Sequence, residues 1–149
     1  MTNTTNPPEP RVRVLVVEDN DDDRELLLRQ LRKTGMDGHV KFIFNGQEAL
    51  DFLTRPRAVS LTEDLIAIFL DLKLPSLGGL ELLRRLRQRE EFQTLPVIVM
   101  TSSNDPKDLE ECHRLQVTNY VSKPVTFTSF SKAVADVFHL PRLQPPAGD

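Results

Sequence analysis

A short run of apolar residues that ends in one acid constrains this chain more than any other stretch. Residues 66–70 read Ile-Ala-Ile-Phe-Leu, Asp71 follows directly, and Pro75 and the pair Gly78-Gly79 come soon after. A continuous apolar run of this length is typical of a strand buried on both faces of a parallel sheet. The acid then lies at the carboxyl end of the strand, where open parallel sheets bind ligands. Asp71 could instead cap a turn, so the rest of the chain must decide between these interpretations.

Apolar segments of this kind recur along the chain and alternate with amphipathic segments. The predicted strands cover residues 12–17, 40–44, 65–70, 97–100 and 119–121. A helix is predicted after each strand, and the last helix covers residues 127–138. Alternation of strands and helices predicts an α/β fold, with a parallel sheet covered by helices on both faces. The helix residues expected to face the core are Leu27, Leu28, Leu31, Leu80, Leu83, Leu86, Phe130, Val134 and either Val137 or Phe138.

Several local signals predict where these helices begin and end. Asp21 or Asp22 is expected to cap the first helix, because acids suit the positive end of the helix dipole. Gly35 is expected to end that helix. Residues 104–106, Asn-Asp-Pro, predict the start of the fourth helix, with proline at its first position. Residues 55–64 break the pattern, and we expect a surface loop there.

Length and composition narrow the class of protein. A chain of 149 residues predicts one domain, with residues 1–10 as a disordered lead-in, 140–149 as a tail, and no output domain. A net charge of −3 argues against nucleic acid and anionic membranes as partners. The polar start is not a signal peptide, and no apolar run is long enough to span a membrane. One cysteine, Cys112, permits no internal disulfide and fits a reducing cytoplasm.

Each predicted strand end carries polar residues that a core does not need. Glu18 and Asp19 follow the first strand, Asp71 the third, Thr101 the fourth and Lys123 the fifth. If these strands are neighbours, the side chains converge at one edge of the sheet. Three close carboxylates repel one another unless a cation joins them. Magnesium prefers oxygen ligands and keeps several waters, so two or three acids suffice to bind it.

The same edge offers groups that suit a phosphoryl group. Lys123 supplies a compact positive charge and Thr101 a hydroxyl, and a carboxylate such as Asp71 can act as the nucleophile. Each residue also has an ordinary interpretation, because Thr101 alone would cap a turn and Lys123 alone would lie on the surface. The acids at positions 21–23 are interpreted as a solvated helix start, and Cys112 as a small helix residue.

Five short motifs, in the order in which they occur along the chain, resemble those of a known family. They are Glu18-Asp19, Asp71 with Pro75 and Gly78-Gly79, Thr101-Ser102, Tyr120, and Lys123-Pro124. With these motifs, residues 11–139 resemble a receiver domain of the two-component response regulators. The resemblance implies a flavodoxin-like, doubly wound α/β fold. It has a five-stranded parallel sheet in the order 2-1-3-4-5 and five helices.

The resemblance also implies a role for each matching residue. Asp71 corresponds to the phosphoacceptor. Glu18 and Asp19 correspond to the pair of acids that binds Mg²⁺, together with Asp71 and the backbone carbonyl of Lys73. Such a protein takes part in phosphotransfer and in its own dephosphorylation without being a dedicated enzyme.

The remaining motifs correspond to the residues that respond to phosphorylation in members of this family. Thr101 and Lys123 would each bond a phosphoryl oxygen. Tyr120 resembles the aromatic switch residue that moves together with Thr101. The Lys123–Pro124 peptide bond is cis in many relatives, and that expectation rests on the resemblance alone.

Within the family, the chain looks most like stand-alone regulators paired with phytochrome-type histidine kinases. The grounds are residues 17–20, the loop 55–64, residues 101–106 and the tail. The expected partners are a histidine kinase and a second copy of the chain. The homodimer hypothesis rests on the missing output domain and on a cluster of Phe130, Phe138 and Leu140 near the tail.

Two alternatives of other classes stay open from the sequence. A small phosphatase could use Asp71 as its nucleophile. Such hydrolases commonly carry a second acid two residues later, where this chain has Lys73. A module that binds partners without phosphorylation is the other alternative, and the intact set of five site positions argues against it.

Overall fold

Alternating strands and helices build the part of the chain that this computed structural model describes, residues 12–33, 39–56, 65–102, 105–123 and 125–138. The elements are β1 (Val14–Val17), α1 (Asp21–Lys33), β2 (Val40–Ile43), α2 (Gly46–Thr54), β3 (Ala67–Asp71), α3 (Gly79–Arg87), β4 (Val97–Thr101), α4 (Pro106–Arg114), β5 (Asn119–Ser122) and α5 (Phe127–Phe138). A short 3₁₀ helix, Glu90–Phe92, lies between α3 and β4 and has no counterpart in the sequence prediction. No described helix is long and apolar enough to cross a membrane.

The strands form one parallel sheet in the order β2-β1-β3-β4-β5, which confirms the predicted topology. The register pairs Val17 of β1 with Leu70 of β3, and Asp71 of β3 with Met100 of β4. Thr101 of β4 pairs in turn with Ser122 of β5. The carboxyl ends of β1, β3, β4 and β5 therefore lie side by side, as the convergence of the polar residues requires.

Each face of the sheet is covered by its own apolar layer. Successive residues of a strand point to opposite faces, so Leu15 and Val17 of β1 join one layer while Val14 and Val16 join the other. The first layer packs against α2, α3 and α4, and the second against α1 and α5. The two layers leave the carboxyl edge of the sheet as the place where polar groups gather.

The helix starts follow local capping chemistry, with one correction to the sequence prediction. Either Asp21 or Asp22 was expected to cap α1, but both lie inside the helix. The Asn20 side chain instead accepts a hydrogen bond from the backbone N–H of Asp23 at 2.9 Å. A helix needs side-chain acceptors for its first free N–H groups, and Asn is among the best. The start of α4 agrees with prediction, since Asp105 accepts from Lys107 N at 3.0 Å and Pro106 comes first.

Burial within the helices differs from the prediction at two leucines. Leu28 of α1 is only half-buried, and in α3 it is Leu82 rather than Leu80 that packs fully in the core. The predicted face of α3 was right at Leu83 and Leu86, whereas Leu80 is only partly buried against the core. The four leucines of this nine-residue helix fit two overlapping faces, which is why the sequence pattern placed the face one position off. Phe44 was assigned to the second strand, but β2 ends at Ile43 and Phe44 is 50% exposed.

Phe130 is buried and stacks on Phe69 of β3, with ring centroids 5.5 Å apart. It therefore fills the core, as predicted for the last helix, and is not available to a partner as part of the cluster on which the homodimer hypothesis rests. The side chains of Val134, Val137 and Phe138 and the whole of Leu140 lie outside the described residues. So do Gly35, most of the loop 55–64, Asn104, Pro124, and the two terminal segments.

Candidate phosphoryl and metal site

Three polar side chains are buried where the central strands end. Glu18, directly after β1, is fully buried, and Asp71 and Thr101 are the last residues of β3 and β4, 4% and 2% exposed. Buried carboxylates are rare unless a partner offsets the cost of removing them from water. The site must therefore contain groups that compensate this charge.

The acids expected to bind metal form one compact cluster. A carboxylate oxygen from each of Glu18, Asp19 and Asp71 lies within 4.8 Å of the other two, and Asp19 is exposed while the others are buried. All three donors are hard oxygens, the ligand type that Mg²⁺ prefers. The residues present therefore fit a divalent cation that keeps part of its water shell.

Backbone N–H groups fix the orientation of both buried carboxylates. Oε1 of Glu18 accepts a hydrogen bond from the backbone of Asn20 at 3.1 Å. Oδ1 of Asp71 accepts one from the backbone of Lys73 at 3.0 Å. The Lys73 side chain is exposed, so its contribution at the site is made by the main chain.

Lys123 supplies the positive charge that the buried acids require. Its Nζ lies 2.7 Å from Oε2 of Glu18, 2.9 Å from Oδ2 of Asp71 and 3.1 Å from Oδ2 of Asp23. Its backbone N–H donates to the carbonyl of Thr101 at 3.0 Å, which ties the end of β5 to the end of β4. One lysine thus links three carboxylates from three different elements.

Burial and pairing act in opposite directions on the pKa values of Glu18 and Lys123. Burial raises the pKa of Glu18 to about 7, although Lys123 and the Asn20 N–H favour the charged form. Burial lowers the pKa of Lys123, but hydrogen bonds and charges from Glu18 and Asp71 outweigh it and leave the pKa raised. The ammonium is therefore held firmly in its charged form.

Two glycines allow the loop after β3 to fold tightly against the site. The Gly79 N–H donates to the carbonyl of Leu72 at 3.0 Å, and a Cβ on Gly79 would lie 2.3 Å from the carbonyl oxygen of Asp71. A Cβ on Gly46 would lie 1.8 Å from the Leu77 carbonyl oxygen. Any other residue at either position forces the backbone apart. Gly78, by contrast, has open space around it.

Thr101 and Tyr120 form a second, uncharged pair beside the ionic cluster. Their side chains share a hydrogen bond, and Tyr120 is half-buried. Burial is the main cause of a raised pKa at the Tyr120 hydroxyl, which stays protonated at neutral pH. The two residues that sequence comparison links as a switch are thus in direct contact.

The structure brings together most of the residues that the sequence predicts. Glu18, Asp19, Asp71 and Lys123 share one cluster, and Thr101 contacts Tyr120. The Lys123–Pro124 bond, including its predicted cis state, lies outside the described residues.

Sequence reasoning missed Asp23. It was interpreted as part of a solvated helix start, but its carboxylate reaches Lys123. The signal that could have found it is the Asn20 cap, which fixes the helical phase and turns the third helical residue toward the strand ends. Arg24 was missed as well, and it donates to the Glu18 carbonyl at 3.1 Å while pairing with Asp21.

Comparison with known proteins gives a consistent picture. The sequence model of the response regulator receiver domain matches residues 14–135. Among solved structures, the bacteriophytochrome response regulator AtBRR is similar at 37% identity and a TM-score of 0.71, covering 92% of this chain and 99% of that one. The bacteriophytochrome response regulator RtBRR is similar at 34% identity and a TM-score of 0.72, covering 92% and 85%. These findings confirm the resemblance predicted from the sequence.

A third similar structure bears on the metal. The receiver domain of the sensor histidine kinase PA1611 from Pseudomonas aeruginosa PAO1 is 25% identical, with a TM-score of 0.71, covering 87% of this chain and 98% of that one. That structure has a magnesium ion coordinated in its active site cleft.

Proposed function

The chain belongs to the response regulator receiver domain family, and on that premise we propose that Asp71 accepts a phosphoryl group from a histidine kinase. The observation that carries the proposal is the buried cluster in which Lys123 joins Asp71, Glu18 and Asp23, with Asp19 beside it. This cluster stabilises the Asp71 carboxylate at the buried end of β3, where packing of the core does not require an acid. It also provides the charge that an incoming phosphoryl group needs.

The proposed reaction moves one phosphoryl group between two protein side chains. A carboxylate oxygen of Asp71 attacks the phosphorus of a phosphohistidine, and the phosphorus–nitrogen bond breaks with its electron pair going to the imidazole. An acyl phosphate on Asp71 results. Lys123 lies 2.9 Å from Asp71 and offsets negative charge as it grows on the transferred oxygens. Because hydrolysis returns the same chain to its starting state, the protein is a switch and not a dedicated enzyme.

Mg²⁺ is the metal that we propose for the acid cluster. Glu18, Asp19 and Asp71 would hold it, with the backbone carbonyl of Lys73 as a further ligand. When bound, the ion neutralises charge on the carboxylates and on the phosphoryl oxygens. The chain's own residues orient Asp71 through the Lys73 N–H and keep Lys123 charged.

The Thr101–Tyr120 pair is proposed to report the change. The new acyl phosphate offers oxygens to which the Thr101 hydroxyl can donate. Donation toward the phosphoryl group would compete with the present contact between Thr101 and Tyr120. A shift of this kind biases a two-state element, here the surface formed by α4, β5 and α5.

Similarity to AtBRR and RtBRR supports a finer proposal, in which the donor is a phytochrome-type histidine kinase in the cytoplasm. We also propose a receiver unit over residues 11–139 that associates as a homodimer. Sedimentation of the protein with and without a phosphoryl mimic tests the dimer, and a monomer under both conditions would exclude it. Phosphotransfer rates from a panel of purified kinases test the donor.

The central proposal is tested by intact-mass spectrometry after treatment with acetyl phosphate and Mg²⁺. The wild-type chain is expected to gain one phosphoryl mass, and Asp71→Asn is expected to gain none. Asp51→Asn serves as the matched control, because Asp51 is an exposed acid on α2 whose side chain, within the described part of the chain, accepts a hydrogen bond from Gln47. Equal gain in the wild type and Asp71→Asn would overturn the proposal.

A further inference from the structure

The ammonium of Lys123 is shared by three carboxylates, because it donates a hydrogen bond to Asp71 and forms ion pairs with Glu18 and Asp23. A lysine carries three N–H donors, and Nζ lies within 3.1 Å of one carboxylate oxygen from each of Glu18, Asp71 and Asp23. The Lys123 side chain is 13% exposed, so water has limited access to replace a lost partner. A phosphoryl oxygen on Asp71 must therefore compete with these carboxylates for the ammonium.

Asp23 is the contact that is easiest to release. It is the longest of the three, at 3.1 Å, and the Asp23 side chain is 25% exposed against 1% for Glu18 and 6% for Asp71. Water can solvate the Asp23 carboxylate once the ammonium leaves it, whereas a released Glu18 would remain buried and unpaired. Asp23 also stands outside the group of three acids whose oxygens meet at the candidate metal position.

Its neighbour on the same helical turn provides a contrast. Asp22 is exposed and, among the described residues, forms no ion pair. Asp22 and Asp23 therefore carry the same charge in the same turn of α1, but only Asp23 touches the lysine of the site. General electrostatic effects at the start of this helix are common to both residues, so a difference between them isolates the contact.

We propose that Asp23 is a positioning residue that holds Lys123 in the unphosphorylated state and competes with the phosphoryl group for it. This inference rests on the proposed function of Asp71. On phosphorylation, one N–H of Lys123 exchanges the Asp23 oxygen for a phosphoryl oxygen, and Asp23 turns to water. No covalent bond and no proton transfer is involved in the exchange.

Removing the competitor must strengthen binding of a phosphoryl group. In Asp23→Asn the amide is a weaker acceptor than the carboxylate, so Lys123 gives up less when it turns to the ligand. We expect the affinity for a phosphoryl mimic to rise about fivefold, equivalent to about 1 kcal/mol, the upper end for an ion pair that water still reaches. The acyl phosphate on Asp71 should also persist longer in this variant.

The experiment titrates beryllofluoride, a phosphoryl mimic, into the full chain at saturating Mg²⁺, with affinities from calorimetry. Wild type, Asp23→Asn, Asp22→Asn and Asp23→Glu are compared, and Mg²⁺ affinity and the unfolding midpoint are measured for each. The NMR signal of the Lys123 side-chain ammonium provides a local readout. It is expected to shift in Asp23→Asn without ligand and to stay in place in Asp22→Asn.

The affinities of these four proteins for beryllofluoride either support or overturn the proposed role of Asp23. The proposal predicts tighter beryllofluoride binding in Asp23→Asn, a change within about twofold in Asp22→Asn, and wild-type affinity in Asp23→Glu. Equal affinities in Asp23→Asn and Asp22→Asn would overturn it, as would a change in unfolding midpoint alone. If the wild type itself binds no beryllofluoride, the proposed function fails, which separates that failure from a failure of the Asp23 inference.

Discussion

Two half-buried cations hold opposite edges of the same sheet, and their partners differ in kind. Lys123 lies at the carboxyl edge and pairs with three carboxylates. Arg87, the last residue of α3, lies at the other edge, where β4 and β5 begin, and its recorded partners among the described residues are neutral backbone carbonyls. The net charge around Lys123 changes when a cation or a phosphoryl group binds to its carboxylate partners. The carbonyls around Arg87 carry no net charge and bind neither ligand, so the charge there stays constant.

The Arg87 contacts join segments that are far apart in sequence. Nε donates to the carbonyl of Leu115 at 2.9 Å and Nη2 to that of Gln116 at 3.2 Å, both just after α4. Nη1 donates to Phe92 at 2.6 Å and Leu95 at 2.9 Å, between α3 and β4. One side chain thus provides hydrogen-bond donors to carbonyls in the two segments that lead into β4 and β5.

The pKa shifts of the two cations express the same difference. Burial lowers the pKa of the Arg87 guanidinium, since carbonyl dipoles do not make up for lost water. Burial also opposes the charge on Lys123, but Glu18 and Asp71 reverse the outcome and raise the pKa. At one edge of the sheet, Arg87 therefore makes contacts whose charge is constant. At the other edge, Lys123 and its three carboxylates form a cluster whose charge depends on what binds there, which we call the charge-responsive edge.

Lys123→Met should lose the most stability of the variants considered. The stability of this variant should also increase the most when Mg²⁺ is added. Without its ammonium, Glu18 and Asp71 are left as buried, unpaired acids, and we expect a loss of about 3–4 kcal/mol in the free energy of unfolding. Added Mg²⁺ should restore part of this loss, because the cation pairs with the same acids. Urea denaturation with and without Mg²⁺ measures both effects. Lys107→Met, at an exposed site on α4, should change stability by less than about 0.5 kcal/mol.

Arg87→Met should be almost as damaging but should not respond to metal. Loss of the guanidinium leaves four carbonyls without their donor, for an expected cost of about 2–3 kcal/mol. Because no carboxylate is released, Mg²⁺ should stabilise this variant no more than it does the wild type. Arg85→Met is the control, since Arg85 is an exposed residue of the same helix that pairs with Glu81. A Mg²⁺ rescue of Arg87→Met equal to that of Lys123→Met would break the distinction between the two edges.

Gly79→Ala tests how much of the carboxyl edge depends on backbone packing instead of charge. The added methyl would press on the Asp71 carbonyl oxygen, 2.3 Å away, and we expect a cost of about 2 kcal/mol. Gly78→Ala, next to it, meets nothing within 4 Å and should be nearly neutral. Thermal unfolding of both variants provides the comparison. Equal melting temperatures would show that the loop after β3 has room to move.

Cys112 gives the smallest expected effect and shows what burial does without a counter-ion. Burial raises the pKa of its thiol to about 11 from 9.0, with Asp108 and Glu111 adding to the shift. A raised pKa in the folded state contributes stability below the unfolded value, and this contribution is lost as pH rises from about 9 to about 11. Stability should therefore fall over that range, and less so in Cys112→Ala. A wild-type thiol that reacts with iodoacetamide at pH 8 as fast as a free cysteine would contradict this account.

The sequence was sufficient for the fold and for most of the site, for physical reasons that can be named. Short apolar runs that end in polar residues define strands, and parallel strands place their carboxyl ends together. Asp71 and Lys123 could be identified in this way because Asp71 ends β3, Lys123 directly follows β5, and neither has a role in packing. The resemblance then supplied the strand order, which periodicity alone does not determine.

The features that escaped prediction depend on helical phase or on distant contacts. Asp22 and Asp23 look alike in the sequence, and only the Asn20 cap decides which one turns toward Lys123. Arg87 resembles the surface arginines Arg84 and Arg85 of the same helix. Its role becomes visible only when α3 and the end of α4, some 28 residues apart, come together in the fold.

The central claim is that the charge-responsive edge exists to be modified at Asp71. Its most direct test is to treat the protein with acetyl phosphate and Mg²⁺, reduce it with sodium borohydride, and map the product by peptide mass spectrometry. Borohydride converts an aspartyl phosphate to homoserine. The account predicts homoserine at position 71 and at no other acid. Conversion at Glu18, Asp19 or Asp23 instead, or no conversion at all, would contradict it.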